Sequence, residues 1–157
     1  MSQCFGSGLH RRIAPVRLPA MIDLSDAQRF LDENFAPWVL ALGPVVTRAD
    51  AEGLSIDIPI TDAIARVGGI VSGQSLAALA DTAMVLACGA HLGRMAPVAT
   101  ITLDTQFLRP GSGDHIRAEA EVMRAGKALI FARCTLVAMP SGKPVALATA
   151  TFAAPRL

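Results

Sequence analysis

Ser72 to His91 reads SGQSLAALADTAMVLACGAH. Alanine and leucine dominate it, and both have high helix propensity. The spacing predicts one long helix. Ser72 is placed to act as its N-cap, and Gly73 behind it leaves the amide N–H groups of the first turn open to a visitor. Apolar residues fall on every side (Leu76, Leu79, Met84, Val85, Leu86 and Cys88), so the helix is expected to be buried all round. Asp81 stands in its middle, the one formally charged residue between Arg66 and Arg94. A carboxylate in such a place is costly unless it is paired, protonated or used.

The rest of the chain must enclose that helix. With 157 residues and 52% hydrophobic content, it has the length of one domain and enough apolar mass for a full core. The formal charge of +1 argues against nucleic acid or an acidic membrane surface as the main partner. Cys4, Cys88 and Cys134 are too widely spaced for a disulfide framework or a zinc site, so no metal is expected. Arg11 and Arg12 are followed by no apolar run of the secretory kind, and the central helix is too short and too polar at Asp81 to span a bilayer. The expectation is a cytoplasmic protein that engages neither membrane nor nucleic acid.

In chain order, residues 1–21 hold Gly6, Gly8, Pro15 and Pro19 and read as an irregular segment. Residues 22–157 read as a single domain. Ser25 is expected to cap a short helix, DAQRFLDENF, that Pro37 stops. Trp38, Val39 and Leu40 read as core or interface packing. Residues 44–49 and 54–60 read as strands around a turn at Asp50 to Gly53, with Pro59 at an edge or a strand end. Residues 61–71 read as a loop with Gly68-Gly69 as its flexible point. Beyond the helix, Gly93 and Pro97 break the chain. Four strands follow, at 98–108, 115–123, 128–139 and 145–152, the last two apolar enough to be central. In the first of them Ile101, Leu103 and Phe107 alternate with Thr100, Thr102, Asp104 and Gln106. GSGD, RAGK and PSGK read as hairpin turns between them. Meander connections imply an antiparallel sheet, and one helix embedded in it makes an α+β arrangement.

Two pieces of this chain resemble a known family. SGQSLAALADTA is similar to an H-G-G followed by L-x-D-T-A, and TLDTQFLRPGSGD is similar to a strand ending F-x-R-P-x-x-x-G-D. Both belong to the hotdog-fold acyl-CoA thioesterases of the phenylacetate-degradation type, in the 4-hydroxybenzoyl-CoA thioesterase superfamily. The resemblance covers roughly residues 69–152. It implies a hotdog fold, an antiparallel sheet wrapped around one long helix, and hydrolysis of acyl-CoA thioesters in a homodimer or homotetramer. It gives Asp81 the role of general base or nucleophile and Gly73 that of the backbone donor to the thioester carbonyl. Coenzyme A enters as part of the substrate, and no separate cofactor is implied. Ser72 stands where the family has histidine, and Gln74 where it has a second glycine.

The chemistry supports those roles separately. Thioester hydrolysis needs an activated water or a carboxylate nucleophile, and donors aimed at the developing oxyanion. Gly73 and Asp81 are eight residues apart, about 12 Å along a helix axis, whereas reacting atoms must come within about 3–3.5 Å. One helix can hardly offer both to a single carbonyl. If both act, Gly73 of one subunit must meet Asp81 of another, and a two-fold dimer then has two equal sites. Substrate-binding candidates are Ser72, Gln74 and Thr82 on the helix, with Arg109 and Lys127 for the phosphates of coenzyme A. Leu76, Leu79, Met84 and Phe107 are expected to line a pocket for medium aliphatic or compact aryl acyl groups. His10, His91 and His115 read as surface residues. Two rival readings belong to other classes: a hotdog hydratase or dehydratase, which would rely on a histidine absent from the motif, and an acyl-CoA-binding module without catalysis.

Overall fold

The computed structural model describes residues 22–155. The expectations for residues 1–21, His10 and Cys4 included, lie outside them. Two short helices come first: α1, Leu24–Asn34, and α2, Pro37–Leu40. Asp23, not Ser25, caps α1. Its Oδ1 accepts from the Asp26 amide at 2.8 Å and from Ser25 Oγ at 2.7 Å, so Ser25 donates to the cap instead of forming it. A carboxylate is the stronger acceptor for an amide at a helix start. Ala27 and Leu31 enter the core from α1. In α2 only Val39 does so; Trp38 is 63% exposed and is not core.

Two strands, β1 (Val45–Asp50) and β2 (Gly53–Pro59), then form the expected hairpin, with Pro59 as the last residue of β2. The expected loop over 61–71 contains a tight hairpin of its own, β3 (Ala65–Arg66) and β4 (Ile70–Val71), turned by Gly68 and Gly69 at φ +93° and +70°. The long helix α3 spans Gly73–His91. Four strands complete the chain: β5 (Ala99–Phe107), β6 (His115–Ala125), β7 (Leu129–Met139) and β8 (Lys143–Ala153).

The main sheet has six antiparallel strands in the order β1-β2-β6-β7-β8-β5. RAGK and PSGK turn hairpins as expected, but GSGD does not. After β5 the chain crosses to the middle of the sheet, where β6 pairs with β2 and β7, while β5 pairs with β8 at the far edge. The crossing passes the start of α3, where the Val71 amide donates to Gly111 O at 2.9 Å. At Gly113 (φ +131°) a Cβ would lie 2.3 Å from Met139 O, so only glycine permits this approach.

One face of the sheet is built for close contact with a helix. Ile56, Ala118, Leu136 and Ala146 align across four strands, and Leu54, Ala120, Cys134 and Ala148 form the next row. All eight are buried. The alanines of β6 and β8 in these rows leave the sheet face shallow, and an alanine-rich helix can settle deeply onto it. The result is the hotdog arrangement, with the core between sheet and helix.

Candidate active site

A sheet covers a helix from one side. The buried residues of α3, Leu76, Leu79, Ala80, Ala83, Met84 and Leu86 among them, face the strands. Gln74, Ala77, Ala78, Asp81 and Val85 do not. They recur at three- and four-residue spacing and so form one stripe that the described residues leave open. The helix is therefore not buried all round, and Asp81 lies within its open stripe.

Asp81 is half-buried. Its Oδ1 accepts a hydrogen bond from Thr100 Oγ1 at 3.0 Å, and no cation among the described residues pairs with it. Burial pushes its carboxyl above the ordinary carboxylate range, while the Thr100 hydrogen bond pulls the other way. Thr100 reaches it because β5 is irregular. The register shifts between Thr100 and Thr102. Thr100 pairs with Phe152 and Leu103 with Ala150, both partners buried on the helix side, so a bulge at Ile101 puts Thr100 on the same side as Leu103, Thr105 and Phe107. Strict alternation assigns Thr100 to the opposite face, which is why the sequence pattern does not single it out.

The start of α3 is also prepared. Ser72 Oγ accepts from the Ser75 amide at 3.3 Å and lies 2.9 Å from Ser75 Oγ, so its hydroxyl is engaged as the helix cap. The Ser72 amide donates to Ile64 O and the Leu76 amide to Ser72 O. Among the described residues, the amides of Gly73 and Gln74 have no partner. Such amides carry the positive end of the helix dipole. The ring of Phe107 lies against Gly73, and a Cβ there would sit 3.2 Å from its Cζ. A cleft of about 370 Å³ opens beside them, lined by Gly73, Leu76, Phe107, Ile70, Arg66 and Arg109.

The candidates thus divide between two places. Asp81 and Thr100 mark one end of β5; Gly73, Phe107 and Arg109 mark the other. Gln74 is exposed on the open stripe. Lys127 is exposed in the β6–β7 turn, two residues before Leu129, which pairs with Ala153 as Ala99 does, so it belongs to the Asp81 end. Thr82, at 3% exposure, points into the core, as do Leu79 and Met84; of the expected pocket residues only Leu76 and Phe107 reach the cleft. Arg66 is a cleft residue that the sequence pattern gave no reason to choose. His115 is not a free surface residue: its Nε2 is buried 3.4 Å from Asp57 Oδ2, which Arg117 also holds at 2.8 Å, on the sheet face away from α3. Burial, and then the Asp81 charge, push the Cys88 thiol up to about 12, so it offers no thiolate near neutral pH. Another cleft, of about 420 Å³, lies on the outer sheet face around Thr102, Phe131 and Thr149, away from these groups.

The description "Thioesterase superfamily" belongs to the family model that matches residues 68–144. That span holds Gly73, Asp81, Thr100 and Arg109 together. No curated protein matches. A phenylacetic acid degradation-related protein from Ralstonia eutropha JMP134 is 32% identical, with 82% of this chain and 98% of that chain covered and a TM-score of 0.69. A structure from Silicibacter sp. TM1040, described there as a candidate thioesterase, is 26% identical over 87% of this chain and 94% of that one, with a TM-score of 0.77. A thioesterase from Haemophilus influenzae is 17% identical, covers 86% and 92%, and has a TM-score of 0.75, a likeness of fold alone.

Proposed function

The chain belongs to the thioesterase superfamily, and from that premise we propose that it hydrolyses acyl-CoA thioesters at sites shared between two subunits. Asp81 acts as general base or nucleophile. The amide of Gly73 in the facing subunit receives the oxyanion. The observation that carries this reading is Asp81 itself: a partly desolvated carboxylate with no cation beside it among the described residues, held by one oxygen through Thr100, on the open stripe of an otherwise apolar helix. Burial without a cation raises the basicity of such a group and suits it to take a proton near neutral pH.

The edge strand supports the shared site. Among the described residues β5 pairs on one side only, with β8. Ile101, Leu103 and Phe107 are 56%, 38% and 55% exposed along it. An open apolar edge is an invitation to another strand. If β5 pairs antiparallel with its own copy about a two-fold axis that passes near the middle of the strand, Thr100 of one subunit lies opposite Phe107 of the other. Asp81 is then brought to the partner's Gly73, and the separation of about 12 Å within one helix ceases to matter. The same operation brings Lys127 and Arg109, at opposite ends of one chain, to one end of the joint sheet, where both can serve the phosphates of coenzyme A. Leu76 and Phe107 favour medium aliphatic or compact aryl acyl groups. We further propose a homodimer, or a homotetramer built of two such dimers, a cytoplasmic setting and no cofactor besides coenzyme A in the substrate. Among the described residues no helix is long and apolar enough to cross a membrane.

Thiol release from a panel of acyl-CoA thioesters tests the reading. Asp81→Asn and Asp81→Ala should lose on the order of 10²–10⁴-fold, the range for a general base. Near wild-type rates in both folded variants would remove Asp81 from the chemistry. Release of no thiol from any thioester by the wild type, alongside tight binding, would favour a binding module.

A further inference from the structure

The Gly73 cleft has a second feature besides the helix start. Two arginines line it, Arg66 from the β3–β4 hairpin and Arg109 from the end of β5, and no carboxylate does. Four other arginines are neutralised locally: Arg29 by Asp26, Arg48 by Asp50, Arg117 by Asp57 and Arg133 by Glu121. Among the described residues neither Arg66 nor Arg109 has a carboxylate within 4.0 Å, and neither do Arg94 and Arg124. What sets Arg66 and Arg109 apart is that they share one cleft. Two guanidinium groups on one cleft, with no carboxylate in its lining, favour an anion that can join them.

Arg109 is held at its side chain and its backbone, Arg66 at its backbone. Arg109 Nη1 donates to Pro144 O, and among the described residues the remaining donors of the guanidinium have no partner. The Arg109 amide donates to Val145 O at 3.3 Å, tying its backbone to β8. Arg66 sits in β3, paired with Ile70, and its carbonyl accepts from the Gly69 amide at 3.1 Å. Between the arginines and Gly73 the lining is apolar: Ile70, Leu76 and Phe107. The sequence of surfaces along the cleft is therefore amide donor, apolar wall, paired cations.

We propose that Arg66 and Arg109 together clasp an anionic oxygen group at the far end of one apolar arm of the bound thioester. The inference rests on the thioesterase reading of the same site. It adds Arg66 as a binding residue and makes an oxyanion on the substrate a determinant of affinity. A phosphate of coenzyme A and a terminal carboxylate on the acyl group share this chemistry. Guanidinium groups bind either in a forked, charge-assisted geometry.

The test compares thioesters that carry the anion in different places: hexanoyl-CoA, hexanoyl-pantetheine and succinyl-pantetheine. It uses the wild type, Arg66→Gln, Arg109→Gln and the double variant. If the clasp holds phosphate, KM for hexanoyl-CoA rises about tenfold or more in the double variant with kcat little changed, and the advantage of the CoA ester over the pantetheine ester collapses. If it holds an acyl carboxylate, the rise falls on succinyl-pantetheine and spares both hexanoyl esters. Either pattern supports the clasp and names its anion. Arg133→Gln, on the outer sheet face, should leave the KM ratios as they are. Unchanged ratios in the double variant, with an active wild type, overturn the clasp and leave the thioesterase reading standing. If the wild type turns over no thioester, that reading fails instead. Calorimetry with coenzyme A and with succinyl-pantetheine then decides the clasp: weakening of either by the double variant supports it, and no weakening overturns it.

Discussion

Thr100 Oγ1 donates to Asp81 Oδ1 at 3.0 Å, from the edge strand of the sheet to the middle of the helix it wraps. The contact joins two elements whose pairing depends on one bulged residue, Ile101. It fixes one carboxylate oxygen and leaves the other with no hydrogen bond among the described residues. A general base needs such an arrangement: held, but not fully occupied.

The pH dependence of kcat/KM should report this carboxylate. Asp81 works ionised, and burial raises its pKa, so the acidic limb of the profile should lie above the ordinary carboxylate range. The Thr100 hydrogen bond lowers that pKa. Thr100→Val should therefore shift the limb to higher pH and reduce the rate by about tenfold, the equivalent of one hydrogen bond of roughly 1.4 kcal/mol. A limb unmoved by Thr100→Val would show that Asp81 does not set it.

Stability should move in the opposite sense to activity at this position. The folded-state pKa of Asp81 is raised above its unfolded value, so the favourable contribution of the group is complete below the unfolded pKa and is lost as pH rises through the folded one. At neutral pH the ionised group costs stability. Asp81→Asn should thus raise the denaturation midpoint at pH 7 and lose that gain toward pH 4. Urea titrations at the two pH values check the sign, and a variant less stable than wild type at pH 7 would contradict it.

The pattern of the chain shows most of this fold and half of the candidate site. Periodicity and turn residues reveal the six main-sheet strands and the central helix because each buries one regular face. They do not reveal that β5 leaves for the far edge, since GSGD has the composition of a hairpin turn and the crossing is decided by which edge remains free. Asp81 and Gly73 stand out because one charge and one helix start break an apolar run. Thr100 does not, because a single bulged residue reverses the face that alternation assigns to it. Thr82, beside Asp81 in sequence, turns a further 100° round the helix into the core. Arg66 is hidden in a hairpin too short to leave a period.

Ser72 is occupied as a cap, and its removal should show in the fold more than in the chemistry. Ser72→Ala should cost about 1 kcal/mol in chemical denaturation and change turnover little. If turnover is abolished while the fold survives, Ser72 belongs to the catalytic set.

The open edge offers a direct handle on assembly. Leu103 is 38% exposed near the middle of β5. Leu103→Lys would set two like charges close together across a β5–β5 junction, and Lys is a residue that natural edges use to refuse strands. Sedimentation should find the variant monomeric and thiol release should fall with it. An active monomer at assay concentration would exclude a shared site.

Mixing subunits tests the shared site most directly. Asp81→Ala and Gly73→Pro are each expected to be inactive, the first for want of a base, the second for want of an amide donor. Unfolded together and refolded, they form heterodimers in which one site has both Gly73 and Asp81 and the other has neither. Random pairing should restore about a quarter of wild-type thiol release. Native mass spectrometry establishes that heterodimers are present. A mixture that contains them and remains as inactive as its parents would contradict a catalytic site built from Gly73 of one subunit and Asp81 of the other.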